Sequence, residues 1–151
     1  MLDIVPYINE NLILFLNTKN QKDALESMIR AAVDENKIID PSDFLTKVEN
    51  REKIVSTGVG FGVAIPHAKM QGYDDFFIVL AILKNPIDWK AIDGHPVRII
   101  FLIGGPDDKQ NEYLQILSTV THLIKEEDFR KKLLTLNSSQ AILSFLNSSK
   151  G

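Results

Sequence analysis

Phe76-Phe77-Ile78-Val79-Leu80-Ala81-Ile82-Leu83 is an unbroken apolar run, and Val97-Arg98-Ile99-Ile100-Phe101-Leu102-Ile103 comes close to repeating it. Alternate residues of a strand face opposite sides, so segments apolar on both sides read as interior strands covered on both faces. Both are far too short to span a bilayer. Between them Asn85-Pro86 and Asp93-Gly94 mark turns, with a short strand expected near Ile87–Trp89.

Working outward, Leu12–Leu16 is a short apolar run that reads as a further buried strand. Thr18 with Gln21 fits a capping box. Ala24, Leu25, Met28, Ile29, Ala32 and Val33 then make one helical stripe. Asp40-Pro41 opens another helix, expected over Pro41–Asn50, with Phe44, Leu45 and Val48 on its buried face. After the second strand come three apolar faces at helical spacing: Leu114, Ile116, Leu117, Val120 and Ile124; then Phe129, Leu133 and Leu134; then Ala141, Ile142, Phe145 and Leu146, capped at Asn137 or Ser138. Strands interleaved with helices indicate an α/β layer architecture. No repeat or linker divides residues 1–151, so a single domain is expected.

Composition narrows the function. Of 151 residues, 44% are hydrophobic and 25% charged, as in ordinary globular proteins. The net charge of −3 and the lack of a basic block argue against nucleic acid as a partner. With no cysteine there is no disulfide or thiolate chemistry, in keeping with a cytoplasmic location. The N-terminal MLDIVPYINENLILFL lacks a cationic leader, and Asp3, Glu10 and Asn11 interrupt it, so neither a signal peptide nor membrane insertion is expected.

The chemistry concentrates in Ser56–Lys69, STGVGFGVAIPHAK. Glycines 58, 60 and 62 suit a backbone that bends or approaches something closely. Pro66 stiffens the entry to His67, and Lys69 adds a cation two residues later, which together suit an anion site. A neutral imidazole has a free lone pair near neutral pH and can attack phosphorus to form a covalent intermediate. The competing reading is a loop histidine with no task. His95, in an Asp-Gly-His-Pro turn, reads as exposed, and His122 reads as a solvated or boundary residue of a helix. Gly58–Gly62 is not a dinucleotide fingerprint, and no P-loop, HExxH or GxSxG occurs. Three scattered histidines argue against a metal site, and no cofactor is expected.

Asn50-Arg51-Glu52-Lys53 followed by Ser56–Lys69 resembles the signature of fructose–mannitol-type enzyme IIA domains of the sugar phosphotransferase system. The family includes the nitrogen-related enzyme IIA regulators. Ala91–Val97, Tyr113–Leu117 and Phe129–Leu134 extend the likeness over nearly the whole chain. The resemblance implies a mixed sheet of about five strands with helices on both faces. It implies a phosphotransferase component in which His67 is phosphorylated at Nε2 and Arg51, just past its helix, neutralises the phosphoryl group. The donor would be a phosphohistidine on HPr or an HPr paralogue, and the acceptor a cysteine of a IIB component. N–H groups around Gly60 and Gly62, with Lys69, would offset the remaining charge, and a shallow apolar rim would receive both partners. Many members carry a second histidine where this chain has Tyr113, which can donate one hydrogen bond but cannot share a proton near neutral pH. A lone domain is also the form of the nitrogen-related members, so a regulator whose phosphorylation controls partner binding is the alternative expectation.

Overall fold

Residues 2–149 are described by a computed structural model, and the two long apolar segments lie at its centre. Its strands are β1 (Ile13–Leu16), β2 (Gly58–Gly60), β3 (Val63–Ala64), β4 (His67–Met70), β5 (Phe77–Ile87) and β6 (Val97–Pro106). They form one mixed sheet in the order β1-β5-β6-β3-β2, with β4 also paired to β6. β5 and β6 are antiparallel, with Phe77 opposite Gly104 and Ile82 opposite Ile99. β3 and β4 follow one another along the same edge of β6, Val63 opposite Ile99 and His67 opposite Ile103. The sheet is therefore five strands wide, and its fourth position is interrupted.

The interruption has a chemical cause. Pro66 has no N–H to give to a ladder. Its carbonyl still accepts from the Ile103 N–H at 3.0 Å, so β4 stays in line, while the Ile65 N–H turns away to the Thr57 carbonyl at 2.9 Å. Freed from the ladder, the Ile65 carbonyl becomes available to a side chain.

Helices α1 (Gln21–Asp34), α2 (Pro41–Ile54), α3 (Gln110–Lys125), α4 (Glu127–Thr135) and α5 (Ser139–Ser149) complete the fold. Gly104 and Gly105 show how both faces are covered. Neighbours in a strand face opposite ways. A Cβ at Gly104 would collide with Phe77 and with Phe44 of α2, and one at Gly105 with Phe76. Phe44 and Phe77 pack at 5.9 Å on one face, and Phe76 stacks at 6.1 Å on Tyr113 of α3 on the other. Side chains of β5 and β6 from Phe77 to Leu83 and from Ile99 to Ile103 are buried in one continuous core.

Several boundaries differ from the sequence reading. β1 is an edge strand rather than a buried one: it pairs only with β5, and Phe15 is 44% exposed. Asn20, not Thr18, caps α1, its side chain accepting from the Asp23 N–H at 2.8 Å. Asn85-Pro86 does not turn the chain; it lies in the irregular end of β5, where the register shifts between Ile82 and Ile87. Trp89 belongs to no strand and is buried by a side-chain bond instead. α2 continues to Ile54, so Arg51 lies within its last turn. Leu114 is half exposed, because the buried face of α3 runs through Tyr113, Ile116, Val120 and Ile124, about 100° round from it, and Leu134 is partly exposed beside the buried Phe129 and Leu133 of α4. Ser138 is the cap of α5, its Oγ accepting from the Ala141 N–H. Among the described residues no helix is long and apolar enough to cross a membrane.

Candidate active site

His67 is the first residue of β4 rather than part of a loop, and it is half-buried. His67 and Lys69 face the side covered by α3, while Ala68 and Met70 are buried on the other side. The His67 Nδ1 lies 3.0 Å from the carbonyl of Ile65. A carbonyl only accepts, so the proton sits on Nδ1 and the lone pair on Nε2. Burial holds the His67 pKa below the ordinary histidine value. The Ile65 bond and the charge of Glu52 oppose that shift, and the charges of Arg51 and Lys69 reinforce it. The ring is therefore neutral, with an available nucleophilic nitrogen, at neutral pH and somewhat below.

Tyr113, in the first turn of α3, brings its ring to 5.8 Å from that of His67. Burial raises its pKa, so the hydroxyl stays protonated and can donate. The Lys69 Nζ stands 4.8 Å from the centre of the Tyr113 ring and donates to Gln110 Oε1 at 2.8 Å. Arg51 reaches the site from α2. Its Nη1 donates to the Val55 carbonyl at 2.8 Å, which caps its own helix and fixes the guanidinium. Its positive charge is felt by both His67 and Tyr113. One neutral imidazole, one ammonium and a phenol thus converge from β4 and α3, and the guanidinium of α2 is near enough for its charge to act on the imidazole and the phenol. Such a set can take a dianionic group onto nitrogen and balance its charge.

Gly60 and Gly62 do not join this set. They flank Phe61 in the β2–β3 turn, and all three residues have positive φ (102°, 62° and 74°). The Phe61 N–H donates to Asp93 Oδ2 at 3.2 Å, and Asp93 Oδ1 accepts from the His95 N–H at 3.0 Å. From the level of Val63 to that of His67 is four residues along β6, about 13 Å at roughly 3.3 Å each. The glycines shape a turn whose central N–H, that of Phe61, is committed to a carboxylate and is not available to a phosphoryl group. His95 and His122 are exposed and stand apart from these groups. Among the described residues no group of three His, Asp or Glu could hold a metal ion.

The sequence reading missed Glu52 and Thr57. Glu52 Oε1 accepts the Thr57 N–H at 2.7 Å and Oε2 the Thr57 hydroxyl at 2.6 Å. The buried Trp89 Nε1–H donates to the same hydroxyl oxygen at 3.0 Å. Both residues lie within the motif that carried the resemblance, and that was the available signal. Gln110 carried none.

Residues 6–149 match the family described as phosphoenolpyruvate-dependent sugar phosphotransferase system, EIIA 2. The chain is 33% identical over 137 residues to a nitrogen regulatory protein of Bradyrhizobium diazoefficiens, covering 91% of this chain and 89% of that protein. It is 31% identical over 134 residues to the fructose-specific EIIABC component of Bacillus subtilis, covering 89% of this chain but 21% of that longer protein. The crystal structure of the nitrogen regulatory protein IIA-Ntr of Neisseria meningitidis superposes with a TM-score of 0.88 at 26% identity, over 95% of this chain and 98% of that one. The chain belongs to the EIIA 2 family of the phosphotransferase system, a family of phosphotransferase components with both sugar-system and nitrogen-regulatory relatives.

Proposed function

We propose that His67 accepts a phosphoryl group on Nε2 from a phosphohistidine of HPr or an HPr paralogue in the cytoplasm and passes it to a IIB component. The 3.0 Å contact between Nδ1 and the Ile65 carbonyl carries this reading. In the transfer the Nε2 lone pair forms a bond to phosphorus as the donor's N–P bond breaks, and the donor nitrogen keeps that bonding pair. Attack places positive charge on the His67 ring, and Nδ1–H, held on the Ile65 carbonyl, stabilises it. Little further acid–base chemistry is needed, so the protein mainly positions phosphorus and balances charge. Arg51, Lys69 and the Tyr113 hydroxyl serve that balance. Ile54 and Val55, 79% and 50% exposed just after Arg51, and Leu114, 49% exposed just after Tyr113, supply an apolar rim for partners that dock in turn.

A second reading has its own support. The likeness to IIA-Ntr, and Tyr113 in place of a second histidine, fit a regulator in which phospho-His67 changes what the protein binds. Both readings share one first test. The protein is incubated with phosphoenolpyruvate, enzyme I and HPr, and the modified residue is mapped by mass spectrometry under alkaline conditions. Label on His67 supports the carrier chemistry, and label on His95 or His122, or none, contradicts it. Transfer of that label to a IIB cysteine then separates transport from regulation.

A further inference from the structure

Glu52 lies in the last turn of α2 and does not touch the reacting nitrogen, yet both of its carboxylate oxygens are committed to Thr57. Thr57 is buried (3% exposed), and four hydrogen bonds converge on it: two to Glu52, one from Trp89, and one from the Ile65 N–H to its carbonyl. Ile65 is the residue whose own carbonyl holds His67 Nδ1. Pro66 between them has little freedom, so wherever Ile65 is fixed, the imidazole is aimed. We propose that Glu52 is a positioning residue for phosphoryl transfer: through Thr57 and Ile65 it holds His67 in the tautomer and orientation that present Nε2.

The requirement for a carboxylate follows from hydrogen-bond accounting. Thr57 brings two donors, its N–H and its hydroxyl proton, because the hydroxyl oxygen already accepts from Trp89. An ionised carboxylate offers two acceptor oxygens and meets both. An amide offers one, so Glu52→Gln leaves one Thr57 donor facing an NH2 group. An aspartate keeps both oxygens but is one methylene short. A carboxylate beside a site that binds an anion is otherwise a handicap, which makes a purely electrostatic role for Glu52 a poor explanation of its place.

This inference rests on the reading that His67 Nε2 is the nucleophile, and the test separates the two. The ring nitrogens of 15N-labelled His67 are recorded in wild type, Glu52→Gln, Glu52→Ala and Thr57→Ser, alongside the rate of phosphoryl acceptance from HPr and a thermal melt. Wild type should show the Nδ1–H tautomer alone. Glu52→Ala should populate both tautomers and slow acceptance roughly three- to tenfold, the worth of about one hydrogen bond. Glu52→Gln should fall between, and Thr57→Ser, which keeps both donors, should match wild type in both readouts. A Glu52→Ala protein that melts earlier but keeps the wild-type tautomer and rate would overturn the proposal. Should the alanine variant fail to fold, the glutamine variant decides, since an unshifted ring spectrum there has the same meaning. Wild-type protein that takes no label would sink the carrier reading, while the ring spectra would still decide whether Glu52 positions His67.

Discussion

Two neighbouring stretches of the chain, the Gly60–Gly62 turn and Ile65–Lys69, solve opposite problems. The Gly60–Gly62 turn looks from its composition like an anion cradle, but its backbone is spent on a sharp reversal tied to Asp93. The Ile65–Lys69 stretch has no glycine, yet the groups that can hold a phosphoryl group gather there, because a proline breaks the strand and frees one carbonyl. Glycine density reports what the backbone must do, and a broken ladder next to a histidine reports where a side chain can be aimed.

The contrast predicts a graded set of losses. The largest is His67→Ala, which should abolish phosphoryl acceptance while the melt stays cooperative, since the ring is only half-buried. Full acceptance by that variant would place the chemistry elsewhere. Arg51→Ala should slow transfer about ten- to a hundredfold, as expected for losing a charge-assisted contact worth roughly 1.5–3 kcal/mol. Arg51 also caps α2, so this variant should in addition lose about 0.5–1.5 kcal/mol of stability, measurable by denaturant titration. Arg51→Lys should recover part of the rate, because lysine keeps the charge without the planar fork. Unchanged transfer in Arg51→Ala would confine the residue to its capping role.

At the other stretch the pattern should invert. Gly60→Ala forces a side chain into φ +102°, close to Asp93, and should cost about 1–3 kcal/mol of stability. Transfer by the folded fraction should change less than about twofold, since the central N–H of the turn is already given to Asp93. A slowing comparable to that of Arg51→Ala would show that the turn reaches the phosphoryl group after all.

The smallest effect is in the pH dependence. Burial lowers the His67 pKa, so between its folded value and the ordinary value near 6.5 the unfolded chain holds the extra proton. Stability should therefore decline as the pH falls below about 6.5, and His67→Gln should lack that part of the decline. Acceptance of the phosphoryl group should also persist just below pH 6.5, because burial keeps the ring neutral there. A rate that halves at or above pH 6.5 would contradict the burial argument.

Much of this was legible in the sequence, for identifiable reasons. The runs at Phe76–Leu83 and Val97–Ile103 could only be interior strands, and the Asp40-Pro41 start of α2 was written in a cap and a proline. Asn85-Pro86 misled because a proline at an irregular strand end costs no ladder bond, so it does not have to turn the chain. Within the site, His67, Arg51, Lys69 and Tyr113 could be read from residue type and motif. The Glu52–Thr57–Trp89 network could not, because Trp89 lies 32 residues from Thr57 and only the fold brings them together.

The account turns on which imidazole nitrogen is free. Heteronuclear magnetic resonance of the 15N-histidine protein, phosphorylated by phospho-HPr, tests it directly. Phosphorus coupled to Nε2 of His67, with the proton retained on Nδ1, is the predicted result. Coupling to Nδ1 would contradict the account, because that nitrogen could not then be held by the Ile65 carbonyl.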